Sequence, residues 1–267
     1  MSIRLNPVFL TEPFGLINTG SICYFNSILQ ALASCTSLLY ISFLDKTRTE
    51  FIFHQFVEQI RAGSVQSDIS SRLLNALRED HPSFGYGQES ASEAFILMIN
   101  VIDNPRLTKL FLHRSRSIIT CLHCNHNTKE VQDYSIVLNM FHSDTVNNKS
   151  LLNQSHKLND YKCDNCGKQN VYKSIKVTML PEIIFMTFNI YHKKRTHSFP
   201  QYIHLEISNL RYKLVGQIEH FGNLHGGHYW AKVLRKDDQY YLCNDNSFQK
   251  TVLEPSDNTY IVIYHLV

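Results

Sequence analysis

The strongest structural signal in this chain lies between Gly15 and Gln30, which reads GLINTGSICYFNSILQ. Glycines keep the first part of this stretch flexible. Apolar residues spaced i, i+3, i+4 and i+7 then begin just after Cys23, a pattern typical of an amphipathic helix. The sequence therefore predicts a loop that runs into a helix, with Cys23 at the helix N-terminus. Unpaired N–H groups and the helix dipole at such an end favour a thiolate, the nucleophilic form of cysteine.

Asn18 precedes Cys23 on the same loop. Its side-chain amide can point an N–H at the oxyanion that develops when a thiolate attacks a carbonyl. The alternative interpretation is that Cys23 is an ordinary core cysteine, as we expect for Cys35. The glycine loop and the helix start favour a nucleophile.

A histidine at the mouth of a strand is the second candidate for chemistry. Residues 226–233 read GGHYWAKV, and a polar turn separates them from a strand that runs into Asn244 and Asp245. If the two strands form a hairpin, His228 lies opposite Asn244 or Asp245, with Cα atoms about 4.5–5.5 Å apart. Successive strand residues point to opposite faces, so only one of the two side chains reaches the ring. The spacing alone does not choose between them.

A cysteine, a histidine and an asparagine together are one known solution for a thiol protease. The histidine takes the thiol proton, and the third side chain fixes its tautomer. A surface hairpin with an ordinary histidine is the alternative interpretation of residues 226–245.

Four of the seven cysteines form two C-x-x-C pairs, Cys121 with Cys124 and Cys163 with Cys166. Two such knuckles supply four thiolates, the usual set for a closed structural zinc site. The gap between the pairs exceeds the roughly 15–20 residues of a compact ribbon, so we expect each knuckle to top its own hairpin. The pattern predicts one structural zinc ion, and a redox dithiol or free thiols are the alternatives.

Composition excludes several classes of protein. The chain has 267 residues, of which 43% are hydrophobic and 18% charged, with a formal net charge of +3. It should therefore fold throughout, and it lacks the strong positive charge of a nucleic-acid-binding domain. Residues 1–10 do not read as a signal peptide, and no apolar stretch approaches the roughly 20 residues that span a bilayer. We expect no membrane partner and a reducing compartment, the cytoplasm or the nucleus.

Helical patterns dominate the first hundred or so residues, and short β-rich segments follow after about Ile118, which favours an α+β architecture. A capping-box sequence at Ser90 and Glu93 heads the last helical pattern. Residues 138–157 are polar and predict a loop. The predicted strands are Val131 to Leu138, Val171 to Val177, Ile183 to Phe188, Tyr229 to Leu234, Tyr240 to Cys243 and Tyr260 to Tyr264.

Taken in order from Gly15 to Tyr264, these motifs resemble the catalytic domain of the ubiquitin-specific proteases. Residues 15–30 are similar to the cysteine box of that family, and residues 226–233 to its histidine box. Three further segments match the family in the expected order. They are the helix start from Gln88 to Phe95, the Leu180-Pro181-Glu182 segment after the second knuckle, and the two short patterns Tyr212 to Leu214 and His220 to Gly222.

The resemblance implies a papain-like fold of thumb, palm and fingers, with a zinc ribbon in the fingers. It implies one catalytic domain over residues 1–267, with the thumb at about 15–115, the fingers at about 116–180 and the palm at about 181–267. The implied activity is that of a deubiquitinase, which hydrolyses the bond after the C-terminal glycine of ubiquitin. We expect the protein to act as a monomer on ubiquitinated proteins. The implied roles are nucleophile for Cys23, base for His228, orienting residue for Asn244 and oxyanion donor for Asn18, and Asp245 matches an acid that some members use instead.

The chain departs from the family pattern in two places. Thr19, Ser21 and Ile22 replace the usual residues of the cysteine box, and Ser90 replaces an acid that contacts the basic tail of ubiquitin. A protease for another ubiquitin-like modifier therefore stays an alternative. A ubiquitin-binding pseudo-enzyme is a further alternative, and the intact set of Cys23, His228 and Asn244 argues against it. The basic run at 192–195 predicts a solvated loop.

Overall fold

Helices occupy the first part of the chain and strands the second, as the sequence predicts. The structure, a computed structural model, describes residues 11–85, 87, 89–140, 145–189, 196–205, 209–223 and 226–267. Gln88 and the basic run at 192–195 lie outside these residues. The helices are α1 (Cys23–Leu32), α2 (Arg48–Ala62), α3 (Ile69–Asp80), α4 (Ala91–Ile102), α5 (Pro105–Phe111) and α6 (Asn148–Leu152), and a 3-10 helix spans Thr36–Tyr40.

Helix α1 lies at the centre of the core, because all ten of its residues are buried. Helix α2 follows an N-cap at Thr47, whose side chain accepts the Glu50 N–H, and ends at Gly63 in the left-handed conformation. The Ser90 half of the predicted capping box is present at the start of α4, where Ser90 Oγ accepts the Glu93 N–H at 3.4 Å. Helices α2 and α4 therefore begin at their N-capping residues, and α2 ends at its glycine.

The described strands form two sheets. Their bounds are β1 (His113–Cys121), β2 (Val131–Ser135), β3 (Leu138–Met140), β4 (Asn153–Leu158), β5 (Val171–Met179), β6 (Ile183–Phe188), β7 (Tyr202–Leu205), β8 (Leu210–Asn223), β9 (Gly226–Leu234), β10 (Tyr240–Asn244), β11 (Ser247–Thr251) and β12 (Thr259–Leu266). The smaller sheet has the order β2-β1-β5-β4. The larger has the order β11-β10-β9-β8-β12-β6-β3, with β7 paired to β8.

The larger sheet packs against the helices. Strand β6 reads IIFMTF and is buried at every position, and its Phe185 stacks on Phe95 of α4 with ring centroids 4.0 Å apart. Helix α1 lies on the sheet beside Gly216, where an added Cβ would stand 3.2 Å from the Ala31 side chain. Helix α1, which begins at Cys23, and strand β9, which carries His228, therefore share one core.

The smaller sheet consists of two hairpins, as the knuckle spacing predicts. Strands β1 and β2 pair around the first knuckle, and β4 and β5 pair around the second. Strands β1 and β5 then join the hairpins, with Cys121 opposite Val171. At the tip, Cys121, Cys163 and Val171 form a buried cluster of their own, separate from the main core.

The prediction of a loop over residues 138–157 is wrong, because this segment contains β3, α6 and most of β4. Helix α6 forms through a capping box between Asn147 and Ser150. Strand β4 carries polar side chains that alternate between half-buried and exposed, and it is held by its backbone pairing with β5. The prediction of a loop rested on polar composition. A strand on an exposed sheet needs no apolar side chains, so polar composition does not exclude a strand.

The α+β class and the papain-like division into helices, a palm sheet and a finger sheet are confirmed. The smaller sheet runs from His113 to Met179, and the domain limits at about 115 and 180 stay a prediction. Within the described ranges, no helix is both long and apolar enough to span a membrane.

Candidate active site

Cys23 is the first residue of α1, as the sequence predicts. Gly20, with φ of 123°, and Ser21, with φ of 51°, turn the preceding loop into the helix. Asn18 stabilises this turn, because its Oδ1 accepts the N–H groups of Gly20 at 3.0 Å and Ile22 at 3.3 Å. The loop therefore delivers the thiol to the helix end in a fixed position, with only 3% of the residue exposed.

The sequence predicts that the helix end favours a thiolate at Cys23, whereas the structure favours the neutral thiol. Burial raises its pKa and the charge of Asp245 adds to this rise, while the backbone N–H groups of Tyr229, Tyr24 and Cys23 itself lower it. The helix end acts as expected, but desolvation of the thiolate outweighs it. Cys23 is therefore a neutral thiol at rest, and a base is needed to ionise it.

The hydrogen bond to the Tyr229 N–H places the thiol beside the strand that carries His228. Gly227 lets this strand pair closely with β8, because a Cβ there would lie 2.4 Å from Nε2 of His220. The ring of His228 contacts Asn244, with 2.7 Å between Nε2 and Oδ1. Nε2 is thus the donor to Asn244, and Nδ1 is left to accept a proton.

His228 and Asn244 do not lie directly opposite each other in the hairpin, although one of the two predicted pairings placed them so. Strands β9 and β10 pair Tyr240 with Leu234 and Cys243 with Ala231, so that Asn244 continues the register opposite Trp230. His228 and Asn244 are diagonal neighbours on one face of the sheet, and their side chains close the gap. The parity argument stands: Asn244 reaches the ring, and Asp245 points elsewhere.

Asp245 bonds the cysteine loop instead of the histidine. Its Oδ2 accepts Nδ2 of Asn18 at 2.9 Å, and its Oδ1 accepts Nδ2 of Asn26 at 2.7 Å. Its backbone oxygen accepts the Leu16 N–H at 2.9 Å. One residue of the hairpin turn therefore fixes both the loop before Cys23 and the first turn of α1.

Gly15 allows this contact. An added Cβ at Gly15 would lie 2.3 Å from the backbone oxygen of Asn246, so the turn approaches the loop more closely than any side chain permits. The glycine that the sequence marks as flexible thus serves to let two backbones meet.

Asn26 was not predicted from the sequence. It lies one turn after Cys23 and is 2% exposed, although its side chain is polar. Gln30 repeats this four residues later, and its Nε2 donates to the Phe14 oxygen at 2.8 Å. The available signal was the pair of amides at helical spacing, Asn26 and Gln30, within a helix that is mostly apolar.

Arg235 joins α1 to the end of β9. The residue is fully buried, and its Nη1 donates to Ser34 Oγ at 2.7 Å and to the Gln30 oxygen at 3.2 Å. Desolvation lowers the pKa of Arg235 to about 10, and the neighbouring Cys243 opposes this shift. The guanidinium thereby anchors the hairpin to the helix through neutral acceptors.

The four knuckle cysteines converge at the tip of the smaller sheet. Their sulfurs lie within 4.8 Å of one another, with Cys121 3.7 Å from Cys166 and Cys124 3.7 Å from Cys163. Zinc at about 2.3 Å from each sulfur of a regular tetrahedron requires sulfurs about 3.8 Å apart. The cluster therefore has the size and the donor set of a zinc site. His123 accepts a hydrogen bond from Lys168 at 2.8 Å and is not one of the four.

The knuckle backbones favour ionised sulfur. The His126 N–H and the Asn165 side chain lower the pKa of Cys124 to about 6, and the N–H groups of Cys124 and His123 lower that of Cys121. At Cys166 the Lys168 N–H has the same effect, but desolvation and the adjacent sulfurs outweigh it and raise the pKa to about 12. Four thiolates at this spacing thus need a cation among them.

Ser90 lines a cavity of about 370 Å³ beside α4. Its Oγ lies 2.9 Å from the Tyr260 hydroxyl, and Thr187 Oγ1 lies 2.6 Å from Oδ1 of Asn139 in the same wall. Glu93 also lines the cavity. The position that holds an acid in the resembled family is therefore occupied here by a hydroxyl that is bonded to another hydroxyl.

Comparison with known proteins gives the family. Residues 14–264 match the family described as ubiquitin carboxyl-terminal hydrolase. Because that match covers nearly the whole chain, the protein belongs to this family of ubiquitin hydrolases. Among its relatives, ubiquitin carboxyl-terminal hydrolase 25 of Arabidopsis thaliana is 26% identical over 94% of this chain and 47% of its own length. Ubiquitin carboxyl-terminal hydrolase 8 of Saccharomyces cerevisiae is 22% identical over 94% of this chain and 70% of its own length.

Solved structures support the same fold. A chain of the SAGA DUB module of Ubp8, Sgf11, Sus1 and Sgf73, bound to monoubiquitin, matches 96% of this chain with a TM-score of 0.71 and 20% identity, over 69% of its own length. The same module bound to ubiquitin aldehyde matches all of this chain, with a TM-score of 0.71, 19% identity and 72% of that chain covered. Among the curated relatives, the chain spans 47%, 34% and 25% of the length of three.

Proposed function

We propose that this protein is a deubiquitinase, a thiol-dependent hydrolase of the isopeptide or peptide bond after the C-terminal glycine of ubiquitin. The observation that carries the proposal is the 2.7 Å hydrogen bond between His228 and Asn244, next to a Cys23 thiol that contacts the Tyr229 N–H. Membership in the family supplies the substrate class.

The reaction begins with proton transfer from the Cys23 thiol to Nδ1 of His228, while Asn244 holds the ring through Nε2. The resulting thiolate attacks the carbonyl carbon of the terminal glycine. Asn18 has one Nδ2 hydrogen bonded to Asp245, and its second hydrogen serves the oxyanion of the tetrahedral intermediate. His228 returns the proton to the leaving amine as the carbon–nitrogen bond breaks. Water, deprotonated by His228, then hydrolyses the thioester and restores the thiol.

The proposal includes one zinc ion held by Cys121, Cys124, Cys163 and Cys166. Four thiolates leave no open position for water, so the ion would act by stabilising the smaller sheet and not in the chemistry. Reduced cysteines and a thiolate nucleophile suit the cytoplasm or the nucleus, and we propose that the protein acts there as a monomer on ubiquitinated proteins.

A protease for another ubiquitin-like modifier is the second candidate, and Ser90 favours it. A hydroxyl bonded to Tyr260 attracts a basic tail less than a carboxylate does. Glu93 in the same cavity is the acid that would partly replace the missing charge.

The test is labelling of the purified protein with ubiquitin that carries a thiol-trapping group at its C-terminus, beside the same probe built on other modifiers. We expect a covalent adduct with ubiquitin that Cys23→Ala abolishes. Preferential labelling by another modifier would replace the proposed substrate. Ubiquitin binding without any adduct would indicate a pseudo-enzyme.

Replacing Asn244 by alanine should lower turnover by roughly 10²-fold or more with little change in ubiquitin affinity, because it disturbs the base and leaves the binding surface intact. Asn244→Asp should keep substantial activity, since a carboxylate also accepts the Nε2 proton. Single-turnover cleavage of a ubiquitin C-terminal amide measures both variants. Near-normal cleavage by Asn244→Ala would remove Asn244 from the mechanism.

Asp245→Ala should lower turnover through Asn18, because it releases the side chain that serves the oxyanion. Loss of one oxyanion donor costs about 10²–10³-fold. The check is a double-mutant cycle: the Asp245→Ala, Asn18→Ala double variant should lose little more than the worse single variant. Losses that multiply would show that Asp245 acts independently of Asn18.

A further inference from the structure

A buried carboxylate lies beside the catalytic histidine strand without a part in the mechanism above. Glu219 of β8 is 3% exposed, and its Oε2 accepts the indole N–H of Trp230 at 2.6 Å. Lys232 Nζ lies 3.2 Å from the same oxygen, and Gln217 Nε2 donates to Oε1 at 3.2 Å. Both oxygens of the carboxylate thus have partners. These bonds offset the free energy that is lost when the charged group is removed from water.

Backbone pairing makes this arrangement rigid. Glu219 pairs with Trp230 on β9 and with Thr259 on β12. Gln217 extends the network, since its Nε2 also donates to Thr259 Oγ1 at 2.9 Å. Three adjacent strands therefore hold the carboxylate, and the charge-assisted bond fixes the indole in one orientation.

The indole in turn lies against the base. The rings of Trp230 and His228 are 6.0 Å apart between centroids and 30° from parallel. The hairpin register also continues with Asn244 opposite Trp230, on the face where His228 and Asn244 meet. Trp230 therefore flanks both partners of the hydrogen bond that orients the imidazole.

We propose that Glu219 and Trp230 are positioning residues for His228: the buried carboxylate fixes the indole, and the indole fixes the imidazole on its bond to Asn244. The expected effect on turnover rests on the proposed function. The expected effect on the reactivity of the Cys23 thiol does not. Lys232 balances the charge of Glu219, so the device acts by geometry. Among the described residues, the charge that acts on the Cys23 thiol is that of Asp245, which lies on the turn between β10 and β11.

The test uses Trp230→Phe, which keeps a ring without the N–H, Glu219→Gln, which keeps the shape without the charge, and the double variant. The first readout needs no ubiquitin: alkylation of Cys23 by iodoacetamide, followed by mass spectrometry of the Cys23 peptide across a range of pH. We expect each single variant to react roughly 3- to 10-fold more slowly at neutral pH, less than the 10²–10⁴-fold that a general base contributes. The difference should shrink as the pH rises towards the raised pKa of the Cys23 thiol, where thiolate forms without the base.

The second readout is kcat and KM for a ubiquitin C-terminal amide, at least ten degrees below each Tm. We expect kcat to fall by the same factor with KM nearly unchanged, and the double variant to match the worse single variant. Glu182→Gln is the control, because it removes a carboxylate bonded to Ser37, whose other partner is His265, away from this strand pair. It should lower Tm and leave alkylation and kcat unchanged.

Unchanged alkylation in both single variants would overturn the proposal, and would leave the proposed function standing wherever the ubiquitin probe still reacts with the wild-type protein. The proposal would also be overturned if the fall in kcat of the double variant equalled the product of the falls in the two single variants, because Glu219 would then not act through the indole. If Glu219→Gln fails to fold, Trp230→Phe decides the question by the same measurements.

Discussion

Replacing Cys23 by alanine should abolish cleavage of ubiquitin conjugates and leave ubiquitin binding close to that of the wild-type protein. The Cys23 thiol is the nucleophile of the proposed mechanism, and alanine leaves His228 with no thiol to deprotonate. Binding should persist because Cys23 is 3% exposed and contributes almost no surface. Single-turnover cleavage and calorimetric titration with ubiquitin measure the two properties separately.

Cys35→Ala is the matched control for this variant. Cys35 lies in the same region, is buried, and has a pKa that desolvation raises. It should lose stability through the cavity that it leaves and keep its turnover. Cleavage that continues in a clean Cys23→Ala preparation would contradict the whole mechanism.

Breaking the four-cysteine cluster should have the second large effect. Cys163→Ser, or a strong chelator, should release one zinc ion per chain and unfold the tip of the smaller sheet. The buried part of the apolar cluster there consists of Cys121, Cys163 and Val171 among the described residues, with Ile119 and Tyr161 partly buried against it. A fully buried apolar side chain contributes about 1.5–3 kcal/mol. Structural zinc contributes roughly 10–16 kcal/mol in small peptide sites. Elemental analysis measures the metal, and hydrogen exchange in β1 and β5 measures the unfolding.

His123→Ala is the control for the metal. His123 lies within the first knuckle but is bonded to Lys168, so its loss should leave the zinc content at one per chain. Protein purified without chelators that contains no zinc would contradict the assignment. Exchange at α1 should change little in either variant, because α1 belongs to the main core.

The parts of this fold that the sequence predicts are those where one local pattern decides the structure. Apolar spacing places α1 and α4, and continuous apolar runs place β6 and β12. The four cysteines place two hairpin tips together. The apolar residues that carry the signal in these helices and strands are mostly buried, and of the four cysteines Cys121 and Cys163 are buried.

The parts that the sequence misses depend on a neighbouring segment. Strand β4 exists because β5 pairs with it, and the reach of Asn244 to His228 depends on a register that is two residues from direct opposition. The raised pKa of Cys23 likewise follows from burial by the whole domain. Asn26 gives no local sign that its partner is Asp245, which lies 219 positions away.

The large sequence separation between these contacting residues affects the order in which the protein is synthesised and folds. Asn18 and Asp245 are 227 positions apart, and Arg235 is 205 positions from Gln30. Contacts of such range close large loops and form late in folding, and a chain grows from its N-terminus during synthesis. Cys23 therefore leaves the ribosome long before His228, Asn244 and Asp245, the residues that the proposed mechanism requires beside it. In the proposed mechanism, a nascent or truncated chain that lacks residues 228–245 should therefore be inert towards ubiquitin, so the synthesis of β9, β10 and the turn after β10 would switch on the activity.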